Sequence, residues 1–196
     1  MFDGHIAGFG TRAGVRFVVG MWGSSPLGTF TDVMVQHPDG ERVLLAPSDE
    51  VAEFVSTTYR FDRVQIGPVN SMMSADTVIV SAPRLDVTAS LGAVTPLGRL
   101  LRLVPSRIAT APLWLRAVNP VAALVLPSVR TAGSAGAGRR EYYGVRSARR
   151  ITDVAGRYDG RDLGGVAPLR PPVSFGFSSA PPTPQLVDVR TTIDGG

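Results

Sequence analysis

Two runs of residues that suit a pleated, half-buried surface, Val15–Trp22 and Thr29–Gln36, flank one cluster of turn formers, Gly23-Ser24-Ser25-Pro26-Leu27-Gly28. That arrangement constrains the chain more than any other stretch, because it commits two strands to a hairpin and fixes which side chains share a face. Read at period two, the second run places Phe30, Asp32, Met34 and Gln36 on one side and Thr29, Thr31, Val33, Val35 and His37 on the other. In the first run Arg16 shares a face with Val18, Gly20 and Trp22. An acid between Phe30 and Met34, and a guanidinium in line with Val18 and Trp22, break the rule that charge sits on the wet side. The hairpin therefore reads as the wall of a barrel or curved sheet with polar groups inside.

The rest of the chain continues in β-rich pieces. Asp39-Gly40 between apolar runs is a hairpin signal, followed by a strand over Glu41–Ala46. Ser48 with Asp49 and Glu50 marks a helix start, and Val51, Phe54, Val55 and Thr58 share a face, which predicts one amphipathic helix over Asp49–Tyr59. Strands are expected over Phe61–Val69, ending at Pro68, and over Thr77–Ser81, Arg84–Ala89, Arg139–Val145, Ala148–Val154 and Leu186–Ile193. Between Thr95 and Val129 the pattern turns helical and is cut by Pro96, Pro105, Pro112, Pro120 and Pro127. The apolar stretch Ile108–Val129 carries Arg116, Asn119 and prolines, which argues against a membrane span. The expectation is a mainly β, single-domain antiparallel β-barrel over 1–196, with a helical insert around 95–129.

Composition removes several classes of chemistry. The chain has 196 residues, no cysteine and only His5 and His37, so thiolate metal sites and histidine-rich metal sites are excluded, and no metal or cofactor is expected. All twenty basic residues are arginine, which excludes a Walker loop. A net charge of +4 spread along the chain, with few aromatics near Arg139-Arg140 and Arg149-Arg150, gives no stacking platform, so nucleic acid is not an expected partner. His5 in a frayed terminus and His37 at a turn leave no histidine for a hydrolytic triad. The N-terminal stretch lacks a charged start followed by an apolar core, so the cytoplasm is the expected location.

The residues singled out for chemistry are Arg16, Trp22, Asp32, Met34, Glu141 and Tyr143. Glu141, Tyr143 and Val145 share one face of their strand. A buried carboxylate needs a cation or hydrogen bonds, and Arg16 on the adjoining strand is the expected cation for Asp32, as a structural ion pair or as part of a carboxylate-binding site.

The segment GMWGSSPLGTFTDVMV resembles the acetoacetate decarboxylase superfamily, in which a Gly/Pro turn leads into a strand carrying an inward acid. The likeness covers Gly10–Val69 best and is specific around Ser24–Met34. It implies a barrel around a small apolar cavity, with Asp32 in the place of the family's acid. Decarboxylation in that family uses a lysine that forms a Schiff base, and this chain has none. Arginine stays protonated and cannot replace it. The resemblance thus implies a small-molecule binder for an apolar acid or ketone, with Arg16 on the ligand carboxylate, Trp22 and Met34 as apolar wall, Asp32 or Glu141 as polar anchor, and Tyr143 as a further ligand-binding candidate. Two alternatives stand beside it. One is a lysine-independent enzyme that uses Asp32 or Glu141 for general acid/base chemistry. The other is a structural protein whose insert docks onto a partner or a second copy, giving a homo-oligomer.

Overall fold

The expected hairpin forms: β2 (Arg16–Ser24) pairs with β3 (Phe30–Gln36) from Arg16↔Gln36 through Gly20↔Asp32 to Trp22↔Phe30. The structure is a computed structural model. It describes the backbone of residues 1–102, 132–135, 139–176 and 181–194, and the side chains of 1–101, 144–176 and 181–190. Ahead of the hairpin runs β1 (Phe2–Thr11), and after it β4 (Arg42–Ala46), α1 (Asp49–Thr58), β5 (Arg63–Ile66), β6 (Asn70–Met73), β7 (Thr77–Ala82) and β8 (Leu85–Val94). Then come α2 (Pro96–Arg102), β9 (Ala132–Ala135), β10 (Arg139–Tyr158), β11 (Arg161–Asp162), β12 (Val166–Ala167) and β13 (Gln185–Asp194).

The strands form one sheet in the order β5-β4-β3-β2-β1-β13-β10-β8-β7-β6, with β9 and β11 on β10 and β12 on β1. Pairing is antiparallel except between β4 and β5, which run parallel because α1 crosses over between them. The sheet curls into a half-barrel. Its far edge returns toward the hairpin, where Thr31 Oγ1 on β3 and Ser71 Oγ on β6 lie 2.7 Å apart. The two edge strands, β5 and β6, share no ladder.

Two departures from the sequence reading follow from backbone proximity. The N-terminus is not frayed: β1 is an inner strand between β2 and β13. Its alternation is hidden by Gly4, Gly8 and Gly10, and two of these glycines are needed. A Cβ on Gly4 would run into the carbonyl of Met21, and one on Gly10 into that of Pro168. The expected strands Arg139–Val145 and Ala148–Val154 are one long strand, β10, whose register shifts at Val145/Ser147, Arg149/Ile151 and Ile151/Asp153. Bulges interrupt the period of two without ending the strand. The strand expected over Phe61–Val69 is β5, Arg63–Ile66, and it ends ahead of Gly67-Pro68, in line with the break expected at Pro68. Of the expected insert, α2 is present, with Thr95 Oγ1 accepting from Gly98 N at 3.0 Å. The remainder, 103–129, lies outside the described residues.

Both faces of β2, β3 and β4 are dry. Inside the curl, Phe17, Val19, Val33, Val35, Val43 and Leu45 pack with Phe9, Leu85, Val87, Val154, Tyr158 and Leu163. On the opposite face, Val18, Phe30, Met34, Leu44 and Ala46 meet Val51, Ala52 and Val55 of α1 and Leu169, Val173 and Phe175 of a proline-rich strap. Ser48 caps α1, accepting from Val51 N at 3.3 Å. Among the described residues, no helix is long and apolar enough to cross a membrane.

Removing bulk from the fully buried Leu45 should leave a cavity in the curl. Leu45→Ala is expected to lower the unfolding free energy by about 2–5 kcal/mol. Ile79→Ala, at an exposed site on β7, should stay within about 0.5 kcal/mol of wild type. Urea denaturation midpoints at equal m-value test both.

Candidate functional site

Asp32 sits at the middle of β3 directly across from Gly20, and the absence of a side chain there shapes the site. A Cβ on Gly20 would lie 2.5 Å from Asp32 Oδ1 and 2.7 Å from Trp22 Nε1. Over that gap the indole of Trp22 reaches back along β2, and Nε1–H donates to Asp32 Oδ1 at 3.0 Å. The enclosure is aromatic. Phe2 from β1 meets Trp22 edge-on at 5.5 Å and stacks on Phe54 of α1 at 5.0 Å, while Phe30 lies 6.4 Å from Trp22 on the other side.

Asp32 is 4% exposed, so the expectation of burial is met, but on the other face of the sheet from the one expected. Its neighbours belong to the layer beneath α1 and the strap, whereas the concave interior of the curl is filled by Phe9, Phe17, Leu45 and Leu85. Alternation shows which residues share a face; it carries no sign of which way the sheet bends. Burial pushes the Asp32 carboxyl up to about 7, against the opposing pull of the Trp22 hydrogen bond and its own backbone N–H.

The expected Arg16–Asp32 pair does not form. Arg16 is opposite Gln36 and Asp32 opposite Gly20, four residues apart along β2, or roughly 13 Å at strand rise. Arg16 instead donates from Nη1 to Pro171 O at 2.9 Å and from Nη2 to His37 O at 2.8 Å. Both terminal nitrogens are thus committed to main-chain carbonyls, and burial lowers the guanidinium pKa. Gln36, which the sequence reading passed over, does related work: its Nε2 donates to Ser174 Oγ at 2.8 Å and its Oε1 accepts from Ser174 N at 2.8 Å. Together Arg16 and Gln36 pin the strap, and with it Leu169, Val173 and Phe175, over the sheet. The sole signal for Gln36 in the sequence was its place on the Asp32 face.

Met34 is buried on that same face, opposite Val18 and packed within the layer under α1. Glu141 and Tyr143 belong to β10, with backbone partners Ile193 and Thr191 on β13. Thr191 pairs in turn with Phe2, so the ladder sets Tyr143 two strands from the aromatic enclosure. Their side chains lie outside the described ones. Among the described residues, no three His, Asp or Glu side chains gather as metal ligands.

No family model matches the chain. No curated protein matches it. Among solved structures, it is similar to acetoacetate decarboxylase from Legionella pneumophila subsp. pneumophila str. Philadelphia 1, over 98% of this chain and 82% of that one, at 12% identity and a TM-score of 0.41. That enzyme bears the name of the family that Ser24–Met34 resembles; what the Asp32 site can do is set by its own residues.

Asp32 has a pKa of 3.8 when unfolded and about 7 when folded, so the folded chain holds this proton more tightly. Its contribution to stability is full below about 4, falls as pH rises, and is gone above about 7. In Asp32→Asn that slope should vanish. The gap in unfolding free energy between the two proteins should change by a few kcal/mol across the window, at up to about 1.4 kcal/mol per pH unit. Parallel pH profiles in chemical denaturation would contradict the assignment. Gly20→Ala should separate Trp22 from Asp32 and destabilise the fold by about 1–3 kcal/mol.

Proposed function

We propose that the protein binds a small apolar ketone over Trp22 and Asp32, between the β2–β3 hairpin and α1. The observation that carries this reading is a buried carboxyl raised to about 7, with an indole N–H as its side-chain partner and aromatic rings around it. Below that pH the carboxyl is neutral and can donate an O–H to a carbonyl oxygen, while Phe2, Phe30, Phe54 and Met34 supply the apolar wall. A neutral acceptor fits this site better than a carboxylate. Arg16, the cation expected to hold a ligand's charge, has both terminal nitrogens on the carbonyls of His37 and Pro171 and only its buried Nε without a partner.

The same observation supports a catalytic version. A carboxyl that titrates near neutral pH is matched to proton transfer at the carbon beside a ketone. Asp32 would take that proton as carboxylate and return it as acid, with the Trp22 indole N–H beside the developing charge. No Schiff base enters, because the chain contains no lysine.

Titration with butanone should quench the fluorescence of Trp22, and the quench should be lost in Asp32→Asn; Trp114→Phe removes the contribution of the chain's other tryptophan. In D2O, exchange of the ketone's α-protons, followed by NMR, should be accelerated by wild type and not by Asp32→Asn. Binding without exchange leaves a binding protein; neither binding nor exchange overturns the proposal. Borohydride added with acetoacetate should trap no adduct on any side-chain amine.

A further inference from the structure

On the other face of the sheet, at the end of the curl where β3 turns into β4, polar side chains gather around a buried phenol. Tyr158 closes β10 opposite Leu85 of β8, 3% exposed. Its ring meets Phe17 edge-on at 5.8 Å and lies 5.3 Å from the ring of His37. The Tyr158 hydroxyl has no hydrogen-bond partner, and neither has His37 Nε2; both atoms are buried. The charges that act on the phenol come from Asp159, Arg63, Glu41 and Arg84, so its polar end faces the rim of the curl while its ring belongs to the core.

The two carboxylates of this rim are already engaged. Glu41 Oε1 lies 3.5 Å from Arg63 Nε, and its Oε2 lies 3.8 Å from His37 Nε2. Asp159 lies 2.7 Å from Arg84 Nε. Asp159 Oδ1 is met by Arg84 as an ion pair without a hydrogen bond, and two rim donors have no acceptor. Burial, reinforced by Asp159, pushes the Tyr158 hydroxyl up to about 12, so it remains an O–H donor at neutral pH. Arg63 Nε–H is buried and makes no hydrogen bond, although Glu41 is its ion-pair neighbour. A buried donor without an acceptor is a standing cost to the fold, and a ligand that brings acceptors relieves it. The ligand must be short, because behind Tyr158 the curl is filled by Phe17, Leu85 and Val35. It must be anionic to lie against a guanidinium, and its acceptor atoms must be able to meet two donors at once, as carboxylate oxygens do.

We propose that this rim is a binding site for a small carboxylate of the size of formate or acetate, which accepts from the Tyr158 hydroxyl and lies against the Arg63 guanidinium. His37 borders the site through its ring. The site is independent of Asp32, which lies on the opposite face of the sheet beneath α1.

Calorimetric titration of the intact protein with sodium acetate, at constant ionic strength against sodium chloride, tests it directly. Saturable binding is expected in wild type and in Asp32→Asn, with affinity at least about tenfold lower in Tyr158→Phe and in Arg63→Gln. The Arg63 side chain is 40% exposed, so Arg63→Gln remains informative if Tyr158→Phe does not fold. Absence of saturable binding in wild type, or wild-type affinity in both variants, overturns the proposal. So does equal binding of chloride, which would reduce the rim to a general anion hole.

Discussion

Burial of the β2–β3–β4 strands on both faces is the constraint from which most of the molecule follows. With no water on either side, each polar group on these strands needs a partner within the protein, and each partner found ties down another piece of chain. Arg16 holds the carbonyls of His37 and Pro171, Gln36 holds Ser174, and Thr31 meets Ser71 from the far edge of the sheet. The strap and the curl are thus fastened at the few points where the hairpin carries polarity, while Leu, Val and Phe supply the bulk of the burial. These polar contacts add little net stability. They select one way of covering the sheet among several that apolar burial alone would accept.

Asp32 is the exception. It received an indole N–H in place of a cation, and neutral hydrogen bonds from that N–H and from its own backbone do not offset the loss of hydration. The result is a group that is neither a settled carboxylate nor a permanently neutral acid at pH 7. Structural ion pairs push acids down, as Arg42 does to Asp62 at the surface. A carboxyl raised this far within a ring of aromatics is the observation on which the proposed acid/base role rests. The glycine across the ladder makes it so, since any larger residue would displace the indole or the carboxyl.

The absence of lysine and the Asp32 geometry bear on one another. Lysine-based ketone chemistry needs an amine, and this chain offers none on any side chain. The chain does have a protonable oxygen in an apolar layer, which in the proposed function recognises a carbonyl without forming a bond to it. At the opposite face the Tyr158 rim holds a hydroxyl and an arginine N–H without acceptors, beside carboxylates that sit in ion pairs. The sheet therefore separates two polar environments by the thickness of its own strands.

From the sequence alone came the hairpin and its face assignments, the Asp39-Gly40 turn, the Ser48 cap of α1, the mainly β composition and the exclusion of Schiff-base chemistry. These are local matters: side-chain alternation, turn chemistry and residue inventory operate over a few neighbours. The strand nature of Phe2–Thr11, the continuity of β10, the true partners of Arg16 and Asp32, and the gathering of His37, Glu41, Arg63 and Tyr158 were decided by tertiary structure. In each case the deciding contact joins segments far apart in the chain: Gly10 to Pro168, Arg16 to Pro171, Gln36 to Ser174, His37 to Tyr158. The direction of the curl belongs with them. Alternation is symmetric between a strand's two faces, and only packing against the other strands, α1 and the strap makes one face the inside of the half-barrel and the other the floor of the Asp32 site.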